Sequence, residues 1–207
     1  MRDSRYIVWV VSALIGLLVL FVIYRIGQAQ SHSAPAPLSL SDYVQTDAQV
    51  IFTVEGPVTA NERYYSRTIT VSADDRSIEA DGTYSTTPLV IQNYLNTQPA
   101  FADFMYALQR AGFTKSRKVQ NSNELGACAT GQRFTYELMS DQNIIMKTWT
   151  SSCENTSGTF GGNAEAVNNL FEQQVLNYSQ VLDSATKIQA AQVSAAAAVA
   201  ASAISTP

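Results

Sequence analysis

"QRFTYELMSDQNIIMKTWTSSCENTSGTFGGN" (residues 132–163) holds two apolar/polar alternations, a short polar break and a glycine-rich run that leads into a helical pattern. Phe134, Tyr136 and Leu138 share one face of a strand over 132–139, and 143–150 reads as a second strand. Ser140-Asp141-Gln142 joins them as a hairpin turn, which sets Ser140 opposite Asn143. Beyond the second strand, Gly158-Thr159-Phe160-Gly161-Gly162-Asn163 precedes a helix expected over 164–182, where Val167, Leu170, Phe171, Tyr178, Val181 and Leu182 keep helical spacing. A phosphate cradle would need free backbone N–H groups, a helix N-terminus and a lysine or metal-binding hydroxyl alongside. No Lys-Ser/Thr follows the glycines, and their spacing is neither GxGxxG nor GxxxxGKS. The run therefore reads as a strand-to-helix corner, with Asn163 as N-cap and Glu165 complementing the helix dipole. With Phe160 at its apex, the corner Phe160, Gly161, Gly162 and Asn163 is also a candidate recognition loop.

The same alternation continues toward the N-terminus. Residues 49–54 (QVIFTV) form a strand closed by Glu55-Gly56-Pro57. In 64–72, Tyr65, Arg67, Ile69 and Val71 oppose Ser66, Thr68 and Thr70, and Ala73-Asp74-Asp75 turns the chain into a strand over 76–80. The stretch 87–97 fits strand and helix equally. From Gln98-Pro99 a helix opens, with proline tolerated in its first turn. Phe101, Phe104, Met105 and Leu108 form its buried stripe, and Gly112 is its stop. A further strand is expected over 113–119. The order β-β-β, helix, β-β-β, helix predicts an α+β domain with two helices packed on an antiparallel sheet.

Charged residues make up only 14% of the 207-residue chain, against about 25% in an average soluble protein. Two segments account for the deficit. Tyr6–Tyr24 (YIVWVVSALIGLLVLFVIY) carries no charge and is long enough to cross a bilayer core of about 30 Å. Arg2, Arg5 and Arg25 flank it, Tyr6, Trp9 and Tyr24 occupy interfacial positions, and residues 26–50 contain no Lys or Arg. This predicts a signal anchor over 1–26 in the cell membrane, single-pass, with the N-terminus inside and the domain outside. Cleavage near Gly27-Gln28-Ala29 would instead release a secreted protein, although the apolar run exceeds an ordinary signal-peptide core. The start of the run lacks a type IV pilin motif. A Pro/Ala/Ser linker (27–41) leads to the exported domain (42–183). The low-complexity stretch 184–207 is the second segment, expected to fray from the last helix into a flexible Ala-rich tail.

Cys128 and Cys153 are the only cysteines. In an oxidising compartment two cysteines most simply make one disulfide. The hairpin register supports the pairing to within one bulge, which Gly131 would house. A structural zinc site needs four Cys/His ligands, and the one histidine, His32, lies in the linker.

Cys128, Gly131-x-Arg133, Tyr136-Glu137-Leu138, Trp149, Ser151-Ser152-Cys153, Gly158-Thr159-Phe160-x-Gly162-Asn163, Leu170-Phe171 and Gln174 together carry a resemblance. Over about 125–178 the chain resembles single-pass, two-cysteine envelope proteins of small-genome candidate-phylum bacteria, a group with no assigned activity. The resemblance implies a bacterial envelope location and a Cys128–Cys153 pair, and no chemistry.

Function classes narrow from here. Lys115, Arg117 and Lys118 are a small basic cluster in a chain of net charge −4, so a nucleic-acid partner is not expected. Asp74-Asp75 and Glu79/Asp81 are paired acids in turn-like stretches, and a Ser-His-Asp set would have to recruit the linker histidine. No catalytic, cofactor or metal set emerges. Tyr43, Tyr64, Tyr65, Tyr84, Tyr94, Tyr106, Tyr136 and Tyr178 fall in the exported domain, and exposed tyrosines enrich binding faces. The expectation is a non-enzymatic binding module for an envelope protein or surface polymer. The alternatives are an envelope enzyme or enzyme accessory with a carboxylate/tyrosine site, and a structural subunit of a surface assembly.

Overall fold

The computed structural model describes residues 38–84, 87–120, 122–154 and 156–204. The chain divides into two units, 1–38 and 39–207. The anchor expected over Tyr6–Tyr24 lies outside the described residues. Among the described residues no helix is long and apolar enough to cross a membrane.

The second unit is α+β. Six strands, β1 (Gln49–Glu55), β2 (Ser66–Val71), β3 (Asp75–Asp81), β4 (Val90–Leu95), β5 (Arg133–Ser140) and β6 (Asn143–Ser151), form one sheet in the order β4-β3-β2-β1-β5-β6. Every neighbouring pair is antiparallel. Three α-helices among the described residues accompany it: α1 (Gln98–Ala111), α2 (Ala164–Glu172) and α3 (Tyr178–Ile204). After the β1–β4 meander, α1 carries the chain back across one face so that β5 pairs on the other side of β1.

Alternation decides which face is covered. Val50, Phe52 and Val54 of β1 are fully buried, as are Ile69 and Val71 of β2, Ile78 of β3, and Tyr136 and Leu138 of β5. The register places Phe52 between Ile69 and Tyr136 on the same face. The Phe52 ring lies 5.5 Å from Tyr136 and 5.3 Å from Phe171 of α2, and Phe171 meets Phe104 of α1 edge-on at 5.2 Å. The α1 stripe is as its spacing predicts: Phe101, Phe104, Met105 and Leu108 are all buried. Its ends are conventional too. The Thr97 side chain accepts from the Ala100 amide, and Gly112 closes the helix at φ 85°. The opposite sheet face is polar, with Lys147 held between Glu124 (2.8 Å) and Glu137 (3.1 Å). The hydrogen bond to Glu124 raises the Lys147 pKa, with Glu137 adding to it and burial opposing it.

Several expectations are corrected. The stretch 87–97 is strand at its centre, because β3 offers it a free ladder. Residues 113–119 are not a strand. Phe113 drops into the core, and only an isolated Ser116–Phe160 bridge follows, since the partner segment turns away. The helix expected over 164–182 is two helices. The chain breaks between them at Asn177, φ 54°, a left-handed conformation that asparagine tolerates. Phe171 and Val175 before the break and Val181 after it all reach the core. The domain also begins before 42: Leu40 is fully buried, and its amide donates to Gln109 Oε1 at 2.8 Å. Nor does a loose tail start at 184. Ala185 is 9% exposed, and α3 stays helical through Ile204.

One buried and one half-buried phenol, Tyr136 and Tyr178, make the fold alkali-sensitive. Burial pushes Tyr136 far above the ordinary tyrosine value and Tyr178 up to about 12, the Arg67 cation opposing the latter. In the unfolded chain both ionise near 10. Their raised values therefore contribute stability that is whole below pH ~10 and is lost as pH rises through the folded values. Thermal melts should show a transition temperature falling steeply between pH 10 and 12, with a shallower fall in Tyr136→Phe. An identical slope in that variant would refute the assignment.

Candidate functional site

The glycine-rich corner was the first candidate, and the structure turns it inward. Phe160 is 3% exposed and its ring lies tilted 4.4 Å from that of Tyr136, so it is a core residue, not the apex of a recognition loop. The Phe160 amide donates to Trp149 O (2.9 Å), the Gly161 amide to Lys115 O (2.9 Å) and the Asn163 amide to Ala111 O (3.0 Å). Those donors are spent within the fold, which leaves little of an anion cradle. A Cβ on Gly162 would overlap the Gly112 carbonyl, so this glycine is where the α1 stop meets the α2 start. Asn163 caps α2 as expected, its Oδ1 accepting from Ala166 N at 3.0 Å. Gly161, Gly162 and Asn163 do line an open groove of about 640 Å³ with Arg110 and Lys115, but Phe160 is not part of it.

Cys128 and Cys153 are joined in a disulfide, Cα–Cα 5.6 Å. Gly131 serves it differently from the bulge expected there. The ladder irregularity lies between Leu138 and Met139. A Cβ on Gly131 would sit 2.6 Å from Cys128 Sγ and 2.5 Å from Ser152 Oγ, so its absence makes room for the bond. Cys128 itself stands at φ 54°, in the turn that brings it over Gly131.

The tyrosines of the domain lie mostly outside the core. Of the eight in the domain only Tyr136 is buried, while Tyr65, Tyr84 and Tyr106 are exposed. Two of the exposed three gather at one end of the sheet. The Tyr84 ring stacks on Tyr64 at 3.9 Å, and its hydroxyl donates to Thr59 O at 3.1 Å. The Tyr65 hydroxyl accepts from Gln132 Nε2 at 3.0 Å.

Beside these rings a cleft of about 190 Å³ runs between α3 and the ends of β2 and β3. Leu89, Leu182 and Ala185 give it an apolar wall, and Arg67, Asp81 and Gln189 bring polar groups to it. Gln189 pins the helix over the cleft, its amide nitrogen within donating distance of Gly82 O (2.6 Å) and Tyr64 O (2.7 Å). Asp81 accepts from Ser66 Oγ at 2.9 Å. Arg67 is only 14% exposed. It meets Glu172 at 3.8 Å, lies 5.8 Å from the Tyr178 ring centroid, and its Nε has no hydrogen-bond partner among the described residues. Burying a guanidinium with a donor unpaired costs stability, and such a group is where a ligand acceptor gains most.

Sequence reasoning missed this cleft. Its signals were an arginine on the apolar side of β2 and a glutamine within an alanine-rich run. Glu79 and Asp81, considered for a cation, sit on β3 with no third ligand, and among the described residues no group of three His/Cys/Asp/Glu could hold a metal. Arg117 of the small basic cluster donates to Gly158 O at 2.8 Å. Compared with known proteins, the chain matches no family model, no curated protein and no solved structure.

Proposed function

We propose that this chain is a membrane-anchored cell-envelope protein whose outward-facing domain binds another envelope component, a protein or a surface polymer, at the cleft beneath α3 that Tyr65 lines. The observation that carries the reading is the cleft itself, which Arg67, Asp81 and Gln189 line beside an apolar wall and the exposed ring of Tyr65. Such rings combine apolar area with a polar tip at low entropic cost. The uncharged run Tyr6–Tyr24 supports the anchor, and the disulfide fits an oxidising compartment. A non-enzymatic role is supported by Asp81 and Gln189, which are already hydrogen-bonded within the fold.

Cosedimentation of the full chain, in detergent, with isolated cell-wall polymer and with envelope membranes tests the proposal. Tyr65→Ala and Tyr84→Ala should each weaken retention about 30-fold, the effect of a hot-spot aromatic worth about 2 kcal/mol. Tyr106→Ala, on α1, should leave it unchanged. Equal retention in all three variants would remove the cleft from consideration. Release of polymer fragments instead of retention would favour the envelope-enzyme alternative.

A structural-subunit reading draws on a different observation. Residues 190–201 of α3 are exposed on every side, about 18 Å of alanine-rich helix. Truncation after Gln189 would abolish assembly under that reading and leave polymer binding intact.

A further inference from the structure

We infer that β4 is a self-pairing edge: two copies of this chain join antiparallel along Val90–Leu95, about a two-fold axis through Asn93, into one continuous sheet. The two ends of the sheet are unlike. β6 is defended, because Lys147 stands exposed on it and the chain returns to close it. Trp149 N donates to Thr159 Oγ1 at 3.2 Å, and Trp149 O accepts from Phe160 N at 2.9 Å. Among the described residues no returning segment closes β4 in that way; its side-chain cap is Arg76 Nη2 on Leu95 O. Its sequence, Val-Ile-Gln-Asn-Tyr-Leu, contains no charge and no proline, and its ladder to β3 has no bulge. An uncovered edge of this kind is a template for another strand.

The register on β3 identifies the free groups. Asn96 N donates to Asp74 O at 2.8 Å, so the hydrogen-bonded pairs continue at Arg76/Tyr94, Ile78/Gln92 and Ala80/Val90. The amides and carbonyls of Ile91, Asn93 and Leu95 therefore face outward. Leu95 O already accepts from Arg76 Nη2 at 3.0 Å, which leaves it one lone pair. The exposed side chains belong to the same residues: Ile91 is 54% exposed and Leu95 89%. Leu176, 61% exposed, adds apolar surface on the inner side, where its carbonyl accepts from the Tyr94 hydroxyl at 3.2 Å.

A second copy fits this edge because the strand is self-complementary. With the axis through Asn93, Ile91 faces Leu95 of the second copy and Leu95 faces its Ile91. The two Asn93 side chains meet at the axis, where their amides can bond each other. Moving the axis by one residue strands Ile91 or Leu95 without its apolar partner. Charge does not oppose the contact. The nearest carboxylates on that face, Asp75 and Glu79, sit one strand back on β3. Those of the two copies would be three strand spacings apart, about 14 Å, beyond the Debye length of physiological salt. Such an interface is isologous and closes as a dimer.

Full-length chain in detergent provides the test. Facing residues of a hydrogen-bonded antiparallel pair have Cα atoms about 5.5 Å apart, within disulfide reach. Under mild oxidation Asn93→Cys should give a reductant-sensitive species of twice the chain mass, while Ile144→Cys on β6 stays monomeric. Light scattering should give twice the chain mass for the wild type and the monomer mass for Asn93→Pro. That proline leaves the β3–β4 ladder intact, since the Asn93 amide points away from it, and an unchanged circular dichroism spectrum would verify this. A monomeric wild type overturns the inference. So does cross-linking of Asn93→Cys no faster than Ile144→Cys, or its capture of a different polypeptide in membranes. Each outcome is independent of polymer retention by the cleft.

Discussion

Phe171→Ala should destabilise the domain by about 3–5 kcal/mol, the usual cost of truncating a fully buried phenylalanine. Phe171 is 0% exposed and is the point where the layers meet. Its ring touches Phe52 of β1 at 5.3 Å, Phe104 of α1 at 5.2 Å and Phe113 after α1 at 6.1 Å. Those partners come from β1, from α1 and from the segment after α1, so the cavity opens where several elements meet and no single rotamer change fills it. The upper end of the range follows from that. For a domain of this size the transition temperature should fall by about 10 °C or more. Urea denaturation checks it: the midpoint should drop with little change in slope. Tyr106→Ala, on the exposed side of α1, should shift it by no more than about 0.5 kcal/mol. A Phe171→Ala effect as small as that would mean α2 does not hold the helical layer to the sheet.

Removal of the Cys128–Cys153 bond in the double variant Cys128→Ser/Cys153→Ser should cost about 3.5 kcal/mol on the chain-entropy account. The bond closes a loop of sequence separation 25 that contains the whole β5–β6 hairpin. β5 is the partner of central β1, so a looser hairpin is felt across the sheet. Reductant added to the wild type should lower stability by a similar amount and should leave the variant unaffected. A variant as stable as the wild type would show that the hairpin ladder alone holds this end. Thiol labelling of intact cells adds the topological answer: labelling by an impermeant reagent only after reduction is expected for an outward-facing domain.

Much of the fold was legible in the chain because much of it is local. The alternations around Phe52, Ile69 and Tyr136 mark their buried face without reference to any partner. The Phe101–Leu108 stripe, the Gly112 stop and the Asn163 cap depend on residues within a few positions of one another. The Asp141-Gln142 turn, with both residues at positive φ, sets the hairpin register that brings the cysteines together. The strand in 87–97 was illegible for the opposite reason: Val90–Leu95 is extended only because β3 offers it a ladder, and its own pattern fits a helix as well. The interruption at Asn177 was hidden too, since helical spacing runs through it unbroken.

The candidate site was less legible than the fold. Phe160 looked like an exposed apex because it sits among glycines, yet the aromatic cluster around Tyr136 takes it inside. Arg67 and Gln189 stand 122 positions apart and line one cleft only because α3 folds back over β2. By itself the sequence determined what short-range sterics and periodicity control: the strands with clear alternation, the capped ends, the hairpin and the paired cysteines. Tertiary structure alone decided which apolar residues stay exposed, where the last helix breaks and which polar side chains converge. Those outcomes depend on how distant segments share one limited buried volume, and no local pattern records that competition.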